Sequence, residues 1–371
     1  MDLLLTEPQK LFAETATRLC LDHGGPRRLR ALRAAAAEID ADAWRKIIAS
    51  EWLATVVAES RGGQGLGALD VALALEQAGH QLLMVPLLES AATAWTMSRA
   101  EDAARAGAGL ADLLRGSRLI VPATAAASWR YGGGASGVTY DHKAGLLKGS
   151  IPFVAYGGSA EAFLVAIDAG AQPVVTIVPR SEASVTVARN VDGSTASRLT
   201  FADVHVPAEQ VIATGAEAKR LALQLQDFLM LGAAAELIGL AAAALDVTLD
   251  YIKLRQQFGR PIGSFQVLQH RAVNAFIDVE LNRSLVYRVL AAYDAGEHHP
   301  AMVSAAKARA SRSALEIVRG ALQMHGAIGY TEEHDIGLYY KRAMALSAQY
   351  GGELSHSTRF SELTLEAGAL S

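Results

Sequence analysis

Residues 217–258 read "EAKRLALQLQDFLMLGAAAELIGLAAAALDVTLDYIKLRQQF". The stretch predicts one helix of about 42 residues, near 60 Å long at 1.5 Å per residue. It runs into "GRPIG" (259–263), where glycine and proline enforce a stop. Ser264 is the expected N-cap of a second long helix reaching about 295, and "HHP" (298–300) breaks the chain before a third over about 301–325. Amphipathic helices of this length pack in bundles, often across subunits. The Ala-rich stretches suit a bundle interior, where small side chains let helices approach closely.

Upstream the texture differs. Residues 1–115 place apolar groups three and four apart, as in "LDVALALEQAG", and predict helices. From about 116 to 212 short β-rich runs appear instead: "SRLIVPA", "GVTYD", "GLLKGSIPFVAY", "AFLVAI", "PVVTIVP", "ASVTVARN" and "RLTFADVHVP". Gly, Asp, Asn, Ser and Pro turns separate them, which predicts an antiparallel sheet or barrel rather than βαβ units. The expectation is an α+β multidomain chain: an N-terminal helical domain (1–115), a middle antiparallel β domain (116–214) and a C-terminal helical bundle (215–371).

Composition narrows the function classes. Hydrophobic residues make up 51% and charged residues 19%, with a formal net charge of −4. That balance offers no electrostatic case for nucleic acid or an anionic membrane. Cys20 is the single cysteine, which excludes disulfide frameworks and Cys-based zinc sites. The N-terminus lacks a basic n-region and a long apolar h-region, so no signal peptide is expected, and runs such as "LIGLAAAAL" (237–245) are too short to span a bilayer. A soluble, cytoplasmic protein is expected.

Three chemistries are read and set aside. In "ATVVAESRGGQGLG" (54–67), the Gly63-x-Gly65-x-Gly67 spacing does not match G-x-G-x-x-G, and no βα alternation follows, so a loop between helices is expected. The ten histidines form no H-x-x-x-H or H-E-x-x-H pair, and no metal site is expected. No G-x-S-x-G elbow is present.

Two segments carry more. In "YIKLRQQFGRPIGSFQVLQHR" (251–271), Arg255 and Phe258 stand three apart, and Gln266 lies just inside the next helix. A guanidinium fork suits a phosphate, an aromatic suits a planar ring, and an amide can read a purine edge. In "ALQMHGAIGYTEEHDIGLYYKRA" (321–343), a helix carrying Gln323 runs into "HGAIG", whose small residues let backbone groups approach a ligand. Taken alone, each segment is open between ligand site and packing loop, since helix–helix turns often contain glycine.

Together, "RxxFGxPIxxFQ" and "QxHGxxGYTEE" inside an α–β–α layout resemble the acyl-CoA dehydrogenase family of flavoproteins. The resemblance extends to "RGGQGLGALDVALALEQAG" and "LTFADVHVPAEQVI", and so to nearly the whole chain. It implies a four-helix C-terminal bundle and FAD held between the middle and C-terminal domains, across a dimer interface that often doubles to a tetramer. By position, it implies that Arg255 meets the FAD pyrophosphate of a neighbouring subunit, flanked by Phe258 and Gln266. The segment Gln323, Met324, His325, Gly326 and Ala327 would line the adenosine part, with Ala327 replacing a common glycine. The family's Thr/Ser flavin contacts fall near "VPATAAAS" (121–128) and "PFVAYGG" (152–158), which offer mainly apolar groups here.

The implied chemistry is α,β-dehydrogenation of an acyl-CoA thioester, with an electron-transfer flavoprotein or a similar acceptor downstream. It needs a polarised thioester oxygen and a base at the α-carbon. Counted by resemblance, the family's C-terminal glutamate falls at Tyr350, and the alternative helix position falls at Leu229. A free phenol ionises near pH 10 and makes a poor base at neutrality. Of the carboxylates near these positions, Asp227 faces elsewhere, Glu236 lies two turns along the helix, and Glu353 would need a slip of the loop. Met230 stands where relatives often carry an arginine. No catalytic residue is assigned. The pattern resembles small subunits of heteromeric acyl-CoA dehydrogenases, which leaves three readings: an enzyme on its own, as homodimer or homotetramer; a base-less subunit of a heterotetramer; or a non-catalytic scaffold.

Overall fold

The structure, a computed structural model, describes residues 5–124, 137–167 and 173–369. Six helices come first: α1 (Glu7–His23), α2 (Pro26–Ala34), α3 (Ala41–Ala49), α4 (Ala68–His80), α5 (Leu87–Ser98) and α6 (Ala103–Leu114). Local chemistry starts several of them. Thr6 caps α1 in a capping box with Gln9, while Asp40 and Asp102 accept two backbone N–H groups each at the starts of α3 and α6. The glycine-rich 54–67 segment is two short 3-10 turns and a loop, as expected.

The middle of the chain is strand-rich: β1 (Ile120–Thr124), β2 (Val138–Asp141), β3 (Leu146–Ala155), β4 (Ala162–Ile167), β5 (Val174–Pro179), β6 (Ser184–Arg189), β7 (Thr195–His205) and β8 (Val211–Thr214). They form two four-stranded sheets, ordered β1-β4-β5-β8 and β2-β3-β7-β6. Among the described residues pairing is antiparallel with one exception, the parallel β1–β4 pair. The expected single antiparallel sheet or barrel is therefore two sheets with one parallel edge. β4 is buried along its whole length, which explains its unbroken apolar run "AFLVAI". Phe163, Val165, Leu199 and Phe201 lie in the core of this region.

The C-terminal third holds α7 (Gly215–Leu254), the short hairpin β9 (Gln256–Gln257) and β10 (Arg260–Pro261), then α8 (Gln266–Asp294), α9 (Pro300–His325), α10 (Ile336–Ala348) and α11 (Glu353–Ala369). The long helix thus ends four residues earlier than the sequence suggests. Phe258 and Gly259 have φ of 50° and 77°, the two left-handed residues of a type I′ hairpin turn, so the chain reverses where helix was expected. Ser264 is not the cap of α8 either. Its hydroxyl donates to the Pro261 carbonyl, and Phe265 takes the N-cap position. By length and composition α7 could cross a membrane, but 94% of its most apolar window is buried inside the protein, as in a core helix.

Contacts gather the chain into two compact units. One comprises Met1–Ala31, Ala72–Leu83 and Leu231–Ser371, and the other Leu32–Val71 and Met84–Met230. In the first unit α4 and α7 meet backbone to backbone. A Cβ on Gly79 would stand 2.1 Å from the Glu236 carbonyl oxygen, and one on Gly239 would stand 1.8 Å from that of Glu76. The two glutamates beside this contact are buried and paired. Glu76 accepts from Arg283 Nε and Nη2 (2.9 and 2.8 Å) and from the Tyr287 hydroxyl (2.7 Å). Glu236 accepts from Arg342 Nε at 3.0 Å and Nη2 at 2.5 Å. A buried ion pair adds little over a well-packed apolar pair, yet removing one partner costs about 3–5 kcal/mol.

These geometries predict opposite outcomes for two glycines in helices. Gly239→Ala is expected to destabilise the protein by about 1–3 kcal/mol through overpacking. Gly320→Ala in α9, where a Cβ would meet nothing within 4 Å, is expected to stabilise it by up to about 1 kcal/mol through helix propensity. Urea unfolding of both variants checks the sign.

Candidate functional site

The hairpin after α7 is built around its own strain. Left-handed φ costs a non-glycine residue about 1–2 kcal/mol, and aromatics suit it poorly. Phe258 nevertheless takes that conformation and is 90% exposed. Its ring meets Phe265 edge-on at 6.0 Å between centroids, and the Arg260 guanidinium lies 4.2 Å above the Phe265 ring. A strained, exposed aromatic held in place by its neighbours makes the position a candidate for function. Arg255 is exposed, and among the described residues its guanidinium has no hydrogen bond or ion pair. Its carbonyl accepts from Ile262 N at 2.8 Å, which ties Arg255 to the turn entering α8. Gln266 is exposed in the first turn of α8, whose N-cap offers no side-chain acceptor. An unengaged cation beside an uncapped helix start suits an anionic pyrophosphate.

The second segment is brought to the first by Tyr251, in the last turn of α7. Its ring stacks on His325 at 4.4 Å and meets His334 edge-on at 5.7 Å, and its hydroxyl donates to the His325 carbonyl at 3.3 Å. Of the five residues expected here, Met324 and His325 are buried, Gly326 is half-buried, and Gln323 and Ala327 are exposed. His325 Nδ1 bonds to the Ala321 carbonyl at 2.8 Å, and its buried Nε2 has no partner. Burial is the main force holding its pKa below the ordinary imidazole value. Gly326 has φ 68°, and a Cβ there would meet nothing within 4 Å, so the backbone is open at that point. The open backbone and the two exposed side chains fit a dinucleotide running alongside, whereas Met324 and His325 serve the packing beneath.

The third element is the turn after α10. Tyr350 (φ 58°) and Gly351 (φ 97°) are left-handed, and Tyr350 is half-buried. Beneath the turn lies Lys307 of α9, fully buried. Its ammonium donates to Ser311 Oγ (2.9 Å), the Ser347 carbonyl (3.1 Å) and the Gly351 carbonyl (2.9 Å). Burying an ammonium costs several kcal/mol, and burial pulls this pKa down to about 7. Three oxygen acceptors fit the three N–H bonds of the charged form, whereas a neutral amine donates only two. Ser347 also belongs to the last turn of α10, whose free carbonyls and aligned dipoles favour a cation. His356 of α11 completes the arrangement, with Nε2 2.9 Å from the Tyr350 carbonyl.

The carboxylates near these positions are engaged elsewhere. Glu236 is held by Arg342, and Glu353 faces Arg312 at 3.8 Å. Leu229, Met230 and Asp227 are buried in α7. In "PFVAYGG" (152–158) the sequence marked a flavin-side segment without singling out Phe153. It sits in a bulge of β3, between Ile151 and Val154, with φ 61° and 80% exposure. The aromatic after a proline in "IPFV" was the available signal. Residues 125–128, also expected to approach the flavin, lie outside the described residues.

Two measurements follow from this geometry. Phe258→Gly removes the left-handed penalty, so the protein without cofactor is expected to gain about 1 kcal/mol of stability. Its affinity for FAD should fall about tenfold, a loss of about 1.4 kcal/mol, measured by flavin fluorescence titration. His356 is 1% exposed, and burial holds its pKa down at about 4, against about 6.5 when unfolded. Its native form binds fewer protons, so its contribution is full above pH 6.5 and is lost as pH falls towards 4, by roughly 3 kcal/mol at about 1.4 kcal/mol per unit. His356→Gln should flatten the pH dependence of Tm across that window.

Comparison with known proteins places this geometry. The family model "Acyl-CoA dehydrogenase, N-terminal domain" matches residues 6–109, and "Acyl-CoA dehydrogenase, C-terminal domain" matches residues 227–353. The chain is 31% identical to acyl-CoA dehydrogenase IpdE2 of Mycolicibacterium smegmatis over 343 residues, covering 91% of this chain and 93% of that protein. Among solved structures, the ChsE4–ChsE5 complex from Mycobacterium tuberculosis superposes with a TM-score of 0.87 at 26% identity, over 99% of both chains. A variant of the Tcur3481–Tcur3483 steroid ACAD gives 0.88 at 26% identity, over 98% of this chain and 99% of that one. With both terminal models matched and a relative of this identity aligned along nearly its whole length, the chain belongs to the acyl-CoA dehydrogenase family.

Proposed function

We propose that the chain is one subunit of a heteromeric, FAD-dependent acyl-CoA dehydrogenase in which a paralogous subunit supplies the carboxylate base. One observation supports the reading: the turn that corresponds by resemblance to the family's acid–base position presents Tyr350, while the nearby Glu236 is held by Arg342 and the exposed Glu353 stands 3.8 Å from Arg312. Leu229, at the alternative position, is apolar and buried.

FAD, when bound, supplies the two-electron acceptor for the β-hydrogen. In the proposed arrangement the chain's own residues bind and orient it. Arg255 neutralises the pyrophosphate, Phe258 covers a planar face, the Gln266 amide bonds to the dinucleotide, and the 323–327 segment follows its adenosine part. The exposed apolar residues Val267, Val273, Phe276, Ile277 and Leu281 on α8, with Leu254 nearby in sequence, support a partner subunit covering this face. Homodimer, homotetramer and heterotetramer are all compatible with such a face; the missing base favours the heterotetramer. The acyl group is proposed to be bulky and apolar, which the likeness to a steroid ACAD supports. An electron-transfer flavoprotein or a similar acceptor would reoxidise the subunit. The reading takes the domains to be 1–115, 116–214 and 215–371 and places the protein in the cytoplasm.

Co-expression with a paralogue carrying a glutamate at either base position should yield acyl-CoA-dependent dye reduction that the lone chain lacks. Robust activity of the lone chain would overturn the subunit reading. Tyr350→Glu in the lone chain is expected to raise turnover at least about a hundredfold, the usual worth of a placed general base. If bound flavin is bleached by no acyl-CoA, alone or with partners, the scaffold reading stands instead.

A further inference from the structure

Lys307 has no role in the reading above, and its environment is unusual for a lysine. It is 0% exposed and bonds to three uncharged oxygens. Its bonds also fall in an informative place. Two of the three acceptors are backbone carbonyls that bracket Tyr350, at Ser347 and Gly351. His356 bonds to the carbonyl of Tyr350 itself. Ser311, which accepts from Lys307, donates in turn to the Ser347 carbonyl at 3.3 Å. Three carbonyls in a five-residue stretch are thus anchored to side chains of α9 and α11. Gly351 permits this approach, because a Cβ there would stand 2.7 Å from His356 Nε2. A connecting loop needs no such anchoring; a strained residue kept in one orientation does.

We propose that Lys307 is the positioning residue of the acid–base turn: anchored in α9, its ammonium fixes the backbone on both sides of position 350 and so sets where the side chain at 350 projects. The proposal rests on the assignment of this turn as the family's acid–base position. Lys307 touches neither substrate nor cofactor in this account. It acts through the Ser347 and Gly351 carbonyls, with His356 as the second anchor. A hydrophobic residue of similar length would fill the same space but could hold neither carbonyl.

Two readouts in the full-length protein test this. Lys307→Met is expected to speed amide hydrogen exchange across 347–352 at least tenfold, while exchange in 72–83, at the α4–α7 contact, stays within twofold. Lys307→Gln keeps two N–H donors without the charge, should fall between, and serves where the Met variant does not fold. In the Tyr350→Glu chain, with octanoyl-CoA as the probe, Lys307→Met should lower kcat at least tenfold and leave KM within twofold. A variant that only loosens the core would speed exchange equally in both segments, and that result overturns the proposal, as does unchanged exchange at 347–352. If Tyr350→Glu confers no activity, the acid–base assignment fails, and the exchange comparison still decides whether Lys307 holds the turn.

Discussion

The close approach of α4 to α7 is the constraint on which the helical unit depends. Gly79 and Gly239 remove the only atoms that could keep the two backbones apart, and each glycine faces the carbonyl of a glutamate on the other helix. Those glutamates, three residues from the glycines along their own helices, cannot reach water and must find partners inside the protein. Glu76 finds Arg283 and Tyr287 on α8, and Glu236 finds Arg342 on α10. One backbone contact therefore fixes where two further helices lie. Arg342 orients α10, whose C-terminal end is the Tyr350 turn, and Tyr251 at the far end of α7 reaches the end of α9. The candidate site is made of the ends of helices whose middles are locked by this contact.

Backbone strain in the chain is unevenly distributed. Among the described residues, eight non-glycine residues have positive φ, and four of them are aromatic: Phe153, Tyr156, Phe258 and Tyr350. Aromatics form 6% of the sequence, and their bulk makes them poor choices for the left-handed region. Conformational preference would put glycine or asparagine at these positions. Tyr156 is buried in the core, whereas Phe153 and Phe258 leave 80% and 90% of their surface exposed.

Most of the architecture was legible because it rests on local pattern. All seven β-rich runs became strands, since β-branched residues between turn formers leave few alternatives. The missed features are those set by distant contacts. β8 is four residues long and falls outside the seven runs; the parallel β1–β4 pair joins strands more than thirty residues apart in sequence. The hairpin at 256–261 was absorbed into α7 because Arg255, Gln256 and Gln257 are good helix formers, and only Gly259 and Pro261 argued otherwise. In the site, Arg255, Phe258 and Gln266 could be picked out by residue type and spacing. Lys307 could not: in "SAAKARAS" it resembles any solvent-facing lysine of an Ala-rich helix, and its acceptors lie forty and forty-four positions away. Glu236 was misleading for the same reason, since the arginine that engages it is 106 positions distant.

In the reading proposed above, the turn at 350 keeps the shape of an acid–base site while presenting a different residue. Its anchors grip the main chain: Lys307 at the Ser347 and Gly351 carbonyls, His356 at that of Tyr350. Anchors of this kind are indifferent to the side chain at 350, apart from the need to accept a left-handed φ. A glutamate fits the left-handed region at least as well as a bulky tyrosine, so exchanging one for the other leaves the turn intact while swapping a phenol and a carboxylate. The residue at 350 therefore carries information about chemistry and almost none about fold. Gly351 and Lys307 carry the reverse, because a side chain at 351 would strike His356, and losing the ammonium would remove one donor from each of two carbonyls of the turn. In the proposed reading the shape of the turn goes with the family, and the residue at 350 decides whether the chain can act as its own base.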